Sequence, residues 1–401
     1  MHTHTSPAVA TGLDLWVEEG FSALRGQRVG VVCHAASVDA QLVHVLLRMK
    51  AAGVNVTRCF GPEHGIWADA QDMIAVAEVP TERITGAELI SLYGDTPESL
   101  QPKAEHLADL DVLVVDLQDV GARYYTYIYT AALCAQAAAK VGVPVVILDR
   151  PNPIGGAQVE GGLGDRAYAS FVGMWPLPIR HGLTIGEVVT LLDAREGFGA
   201  DITVVKMRGW QRSMYFDETG LPWVQPSPNM PTVETAVVYP GMCLIEGTLM
   251  NEGRGTTRPF ELIGADYVDP FAVCEALSAR PVEGIVWRPV WYRPTFHKFG
   301  GQTIGGVALH VRDRSAFQPW RAGLHFLSAV QAVHGEALRW RTERYEYVSD
   351  RLAIDLLCGG TTVRETIEAG GDIDAVWQAG EQALETFLPL RSQALLYPEQ
   401  P

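Results

Sequence analysis

The run Asp111-Val112-Leu113-Val114-Val115-Asp116 constrains the fold more than any other stretch of the chain. A strand with one wet face alternates apolar and polar residues. This one is apolar on both faces, so both must be covered, as in a parallel sheet held between two helix layers. Similar runs recur at Arg28-Val29-Gly30-Val31-Val32-Cys33 and Val143-Pro144-Val145-Val146-Ile147-Leu148, with shorter ones at Asn55 to Phe60, Leu89 to Tyr93 and Ile202 to Met207. Helical patterns separate them. One runs through Leu42, Val45, Leu46 and Met49, a second is the Ala-rich stretch Tyr125 to Lys140, and a third opens at the capping box Thr184-Ile185-Gly186-Glu187. Alternating strands and helices predict an α/β fold, a Rossmann-like doubly wound parallel sheet.

A chain of 401 residues exceeds one ordinary core. Near Trp210 the texture changes, and Trp223-Val224-Gln225-Pro226-Ser227-Pro228-Asn229-Met230-Pro231-Thr232 should run extended, as a hinge or a wall between domains. Residues 12–235 are expected to form the Rossmann-like N-terminal domain, and residues 236–401 a smaller α+β domain. The latter carries helical patterns near Pro270 to Ala279, Ala316 to Val333 and Ile373 to Leu388, and strand-like runs at Ile285 to Trp291 and Ile304 to Val311.

Lys and Arg number 31 against 47 Asp and Glu, a net charge of -16 that repels nucleic acid and anionic membrane surfaces. The expected partner is a small-molecule substrate, with no nucleic acid and no membrane. Six cysteines without a C-x-x-C pair read as buried free thiols. The N-terminal stretch has neither a basic start nor a sustained apolar core, so it does not read as a signal peptide, and no run of about 18 apolar residues suggests a membrane span. The expected location is the cytoplasm.

Polar residues gather where the strands end. Glu63 and His64, in Phe60-Gly61-Pro62-Glu63-His64-Gly65-Ile66-Trp67, follow the second strand, with Trp67 as a candidate apolar wall. His34 and Ser37 follow the first; Asp116, Gln118, Asp119 and Arg123 follow the Val-rich run; Asp149, Arg150 and Asn152 follow the next. Ligands of open α/β sheets bind at that edge, so four strands delivering polar groups to it point to a site there. The first loop, His34-Ala35-Ala36-Ser37, lacks the glycine pattern that cradles a nucleotide phosphate, and no histidines show metal-ligand spacing; neither cofactor nor metal is expected. Farther on, Glu246 to Glu261 concentrates Glu246, Glu252, Arg254, Thr256 and Arg258 on a glycine-bearing loop suited to hydroxyl or carboxylate recognition. His297 and Lys298 lie among aromatics and are read as a structural pair that could also reach the cleft.

The strings FGPEHGIWADA, DLQDVGARYYTYIYT, LDRPNPIGG, VGMWPLPIRHGLTIGE, PSPNMPT and EGTLMNEGRGTTRPFELIGA together resemble the exo-β-N-acetylmuramidases of glycoside hydrolase family 171, over nearly the whole chain. The resemblance implies a Rossmann-like domain, a smaller C-terminal domain with the active site in the cleft between them, and removal of terminal N-acetylmuramic acid from the non-reducing end of peptidoglycan fragments. The family's proposed catalytic glutamate matches Glu63. Glycoside hydrolysis takes a protonated carboxyl and a second group. Glu63 is the candidate acid, with His64 and Asp116 as catalytic neighbours; Asp119, Glu160, Glu246, Glu252 and the substrate's own acetamido group are further choices for the second role. The lactyl carboxylate calls for a cation or an amide cluster, and Arg123, Arg150, Arg180, Arg254 and Arg258 are candidates, Arg123 being readable almost as well as a salt bridge to Asp119 that shapes the loop. Tyr124, Tyr127, His181 and Asn229 complete the candidate set as sugar-ring or polar contacts. Rival readings are a non-catalytic muropeptide-binding protein, a family glycosidase acting on another amino sugar, and a nucleotide-dependent enzyme on the same fold. Many relatives are exported, whereas this chain shows no export signal, which fits cell-wall turnover through recovery of imported muropeptides.

Overall fold

A computed structural model describes residues 9–70 and 81–399. Residues 1–8, part of the N-terminal stretch tested for a leader, lie outside the described residues. Six strands, β1 (Arg28–Cys33), β2 (Asn55–Gly61), β3 (Glu88–Ser91), β4 (Val112–Asp116), β5 (Val145–Leu148) and β6 (Ile202–Val205), form one sheet in the order β3-β2-β1-β4-β5-β6. Every pairing is parallel. This is the doubly wound order, with its topological switch point between β1 and β4.

The apolar strands are covered as their composition demands. Val29, Val31, Val112 and Val114 pack on one face with Leu13 and Trp16 of α1 (Gly12–Glu18) and Leu46 and Met49 of α2 (Val45–Ala51). Val32, Leu113, Val115 and Ile147 pack on the other face, behind the short α3 (Ala104–Leu107), α4 (Tyr127–Val141) and α5 (Ile185–Glu196). Each fully buried side chain of this kind contributes roughly 1.5–3 kcal/mol. α5 carries the capping box predicted for it: the Thr184 side chain accepts from the Glu187 N–H and the Glu187 side chain from the Thr184 N–H. α2 starts later than its apolar pattern, which began at Leu42. The Asp39 carboxylate accepts the N–H groups of Gln41 and Val43, both at 2.9 Å, and Leu42 takes a left-handed φ of 61°, so the chain turns before the helix begins.

The extended stretch before Thr232 is a wall: the Pro226 carbonyl accepts the Tyr127 hydroxyl at 2.9 Å and meets His34 Nδ1 at 3.3 Å. The next element is absent from the sequence-based expectations. α6 (Val233–Met242) is a helix that runs across the 235/236 division, although Pro240-Gly241 reads as punctuation. Gly241 is required by contact: a Cβ there would fall 1.8 Å from the Pro319 carbonyl oxygen of α8 (Pro319–His334), and one on Gly323 would fall 2.4 Å from the Gly241 oxygen. The remaining chain adds β7 (Leu262–Ala265), α7 (Pro270–Ser278), β8 (Ile285–Tyr292) and β9 (Ile304–Val311), the strands pairing antiparallel in the order β7-β9-β8. α9 (Ala353–Cys358), α10 (Thr362–Glu368) and α11 (Ile373–Ala394) complete it, and α11 returns to pack on α5. The architecture is therefore the predicted α/β sheet followed by a smaller α+β part. All six cysteines are free, four of them buried. Among the described residues no helix is long and apolar enough to cross a membrane.

Candidate active site

β2 ends at Gly61, and Pro62 to Gly65 form a turn closed by the Gly65 N–H on the Pro62 carbonyl at 2.9 Å. His64 and Gly65 both take left-handed φ values, 68° and 80°, and the His64 ring is tied through Nδ1 to the Ala70 carbonyl at 2.9 Å. Glu63 is thereby held on a rigid turn and is 6% exposed. The start of α4 reaches it from the neighbouring loop. The Thr126 hydroxyl donates to Glu63 Oε2 at 2.7 Å, and the Tyr127 hydroxyl lies 3.2 Å from the Glu63 carbonyl oxygen.

Glu63 and His64 line a narrow cleft. Tyr124, Tyr125 and Thr126 form one side of it; Ser227, Asn229 and Met230 of the extended wall form another; Tyr239, Phe260 and Val172 supply apolar surface. From the C-terminal part come Glu246, Arg254, Tyr345 and Glu346. Arg254 Nη2 donates to Glu246 Oε1 at 2.6 Å, and the Tyr345 hydroxyl donates to Glu246 Oε2 at 2.8 Å. Behind them Glu252 meets Arg254 Nε at 3.1 Å, Lys298 Nζ at 2.9 Å and His297 Nδ1 at 3.4 Å. Burial pushes the Glu252 carboxyl up, but the charges of Lys298, Arg254 and His297 outweigh it and hold the group below its ordinary value. Burial drives the phenols of Tyr124, Tyr125 and Tyr239 far up, so these groups stay neutral and able to donate.

Of the residues proposed from sequence, the cleft brings together Glu63, His64, Tyr124, Asn229, Glu246 and Arg254. Others serve beneath or beside it, and several expectations are corrected. Asp116 does not line the cleft; its two oxygens take the Arg150 guanidinium, Nη2 to Oδ2 at 2.9 Å, so neither residue of that pair is presented to a ligand there. Ser37 donates to the Asp116 carbonyl. Gln118 Nε2 donates to the carbonyls of Asp119 and Pro151, and Asp119 accepts the Gly121 N–H at 2.6 Å while facing His181 Nε2 at 3.4 Å. Arg123 makes no ion pair with Asp119. It is fully buried and donates to the carbonyls of Gly162, Leu177 and Leu357, stapling the N-terminal part to α9. Arg180 likewise donates to the Ile154 carbonyl and the Gln158 side chain.

Asp149 accepts from Thr184, Gly186 and Tyr397, and burial pushes it up to about 6. Asn152 shapes its own loop through the Leu183 carbonyl and the Ile154 N–H. Thr256 closes a turn on the Gly253 carbonyl, and Arg258 is an exposed partner of Glu261 at 3.0 Å. Trp67, expected as the apolar wall, is 42% exposed and lies against His44 instead, with ring centroids 5.3 Å apart. Sequence reasoning missed Thr126, Tyr345 and Glu346. Thr126 stood inside a quoted motif, whereas the other two gave no local signal.

His34, fully buried, takes the Gln118 N–H on Nε2 at 3.0 Å and turns Nδ1 to the Pro226 carbonyl; burial pushes its pKa down to about 3, so the ring is neutral. Among the described residues no group of three or more His, Cys, Asp or Glu could hold a metal ion.

Comparison with known proteins gives a consistent picture. Residues 29–234 match the family model "Exo-beta-N-acetylmuramidase NamZ, N-terminal", and residues 237–397 match its C-terminal counterpart. The chain is 40% identical over 396 residues to the peptidoglycan beta-N-acetylmuramidase NamZ of Bacillus subtilis (strain 168), covering 98% of this chain and 93% of that protein. Two crystal structures of DUF1343 family proteins from Bacteroides fragilis NCTC 9343 are also similar. One has a TM-score of 0.87 at 29% identity, covering 98% of this chain and all of the other. The second has a TM-score of 0.76 at 26% identity, covering 97% and 99%.

Proposed function

This chain belongs to the exo-β-N-acetylmuramidase family, and from that premise we infer that it is a glycoside hydrolase releasing terminal N-acetylmuramic acid from peptidoglycan fragments. The observation carrying the assignment of roles is the buried Glu63 carboxyl, oriented by the Thr126 hydroxyl in a cleft that also holds Glu246 and Arg254. Glu63 gives its proton to the glycosidic oxygen as the bond from C1 breaks and the electron pair leaves with that oxygen. Water then supplies the hydroxyl at C1, and its remaining proton restores the acid. Arg254 is the candidate arginine that lines the cleft, so it is assigned to the lactyl carboxylate, with Asn229 beside it. His64 holds the Glu63 turn, and the Asp116–Arg150 pair ties the C-terminal ends of β4 and β5 together.

Residues 12–235 act as the domain carrying the acid, residues 236–401 as the domain that closes the cleft, and α6 is a rigid joint between them. We place the protein in the cytoplasm, in cell-wall turnover and muropeptide recovery; six free thiols suit a reducing compartment. The test is nitrophenol release from para-nitrophenyl β-N-acetylmuramide by wild type and Glu63→Gln, beside the glucosaminide. Wild type should turn over the muramide alone, and the variant should lose at least roughly a hundredfold. Folded wild type that binds but does not cleave the muramide would leave a binding protein in its place.

A further inference from the structure

Tyr345 and Val348 exchange backbone hydrogen bonds in both directions at 2.9 Å, so Glu346 and Tyr347 are the central residues of a two-residue hairpin turn. Both have positive φ, 45° and 70°. Turns of this hand take Asn-Gly or Gly because a larger side chain is strained there. A glutamate and a tyrosine stay in such a conformation only where the surroundings over-determine it. The surroundings do so. The Tyr347 hydroxyl donates to the Gly94 carbonyl at 2.9 Å, and its ring centroid lies 5.8 Å from that of Tyr93 and 6.4 Å from that of Phe171. Tyr93 and Phe171 stack at 5.9 Å, and the Tyr93 hydroxyl donates to Glu346 Oε2 at 3.3 Å. Glu346 thus lines the cleft of Glu63, 5% exposed, with a block of three packed aromatic rings around it.

We propose that Glu346 reads the end of the glycan: its carboxylate accepts a hydrogen bond from the 4-hydroxyl of the terminal sugar, and this contact makes the cleft exo-acting. The proposal rests on the hydrolase reading above. A terminal sugar carries a hydrogen on O4. In an internal sugar O4 is bonded to the next ring and has no hydrogen to give. Placed in this cleft, it would withhold that donor from the buried carboxylate. Sites built to hydrogen-bond a substrate hydroxyl reject the analogue lacking it far more strongly than apolar pockets reject a missing methylene.

Calorimetric binding of N-acetylmuramic acid and its 4-deoxy analogue tests this on wild type, Glu346→Gln and Glu346→Gly. Wild type should bind the deoxy sugar at least roughly a hundredfold more weakly. Glu346→Gln, which retains an acceptor oxygen without the charge, should keep part of that ratio. Glu346→Gly suits the positive φ, so it should melt no lower than wild type, yet bind the two sugars within about fivefold of each other. A wild type indifferent to the 4-hydroxyl, a Glu346→Gly that still discriminates about a hundredfold, or a wild type that binds neither sugar would overturn the proposal. Discrimination without hydrolysis of the chromogenic muramide would sink the hydrolase reading and leave only the 4-hydroxyl contact standing. Hydrolysis with no preference for the 4-hydroxyl would do the reverse.

Discussion

Replacing Glu160 by glutamine should stabilise the protein at pH 8 and do so only about a quarter as much at pH 5. Glu160 sits in the N-terminal part, 4% exposed, and its Oε1 accepts the Arg321 N–H at 3.1 Å in the first turn of α8. That helix has no cap of its own, since the Gln318 side chain makes no capping bond, so the acceptor comes from across the seam. Burial pushes the Glu160 carboxyl from 4.5 up to about 7, against the pull of the Arg321 N–H, the Arg180 charge and the Trp320 N–H. Glu381 adds to the rise. The folded value lies above the unfolded one, which sets the sign. The contribution is fully present below about 4.5 and is lost as pH rises through about 7. A rise of this size costs on the order of 3 kcal/mol once the group is ionised. Glutamine keeps the carbonyl oxygen for the helix and never ionises. In a chain of this length the gain at pH 8 corresponds to roughly 3 to 4 °C in Tm. Thermal unfolding of both proteins at pH 5 and pH 8 is the assay. A variant less stable than wild type at pH 8 would refute the reasoning, because it would mean that the charge itself, through Arg180 or the helix N-terminus, holds the seam.

Two more outcomes rest on single contacts. Thr126→Val removes the hydroxyl that orients Glu63 at 2.7 Å while keeping the side-chain shape, and should lower kcat about tenfold with little change in KM; a kcat unchanged in steady-state assays of the muramide would show that the turn alone positions the acid. Gly241→Ala puts a methyl group 1.8 Å from the Pro319 oxygen and should cost about 3 kcal/mol, read as a lowered denaturant midpoint, or prevent folding.

How much of this was legible in the sequence depended on whether the cause of a feature was local. The central strands announced themselves because an all-apolar run needs two covered faces wherever it stands, and Glu63 was visible because a glycine and a proline end β2 immediately before it. The edge residues were harder. Asp116 and Glu63 both follow apolar strands, yet one is closed by Arg150, 34 positions away, and the other opens on a cleft. A carboxylate at a strand end looks the same in either case until its partner is known. α6 escaped for a similar reason: Pro240-Gly241 signals a break, and only the approach of α8 explains why the glycine is kept inside a helix.

Glu346 is the extreme instance. Its turn lacks the residues that such turns call for, so nothing near it in sequence predicts its conformation, and the contact that anchors it comes from Tyr93, 253 positions earlier. Local rules fail there because the contacts that hold the turn come from residues far away in sequence. The sheet supplies the Glu63 side from residues close together in sequence. The other side, Glu246 with Arg254, Tyr345 and Glu346, is assembled across about a hundred positions and is held in place by the α6–α8 contact, the Arg123 staple and the Glu160 cap. Glu63 was therefore readable from the chain, whereas the opposite wall of its cleft exists only once the two parts are packed together.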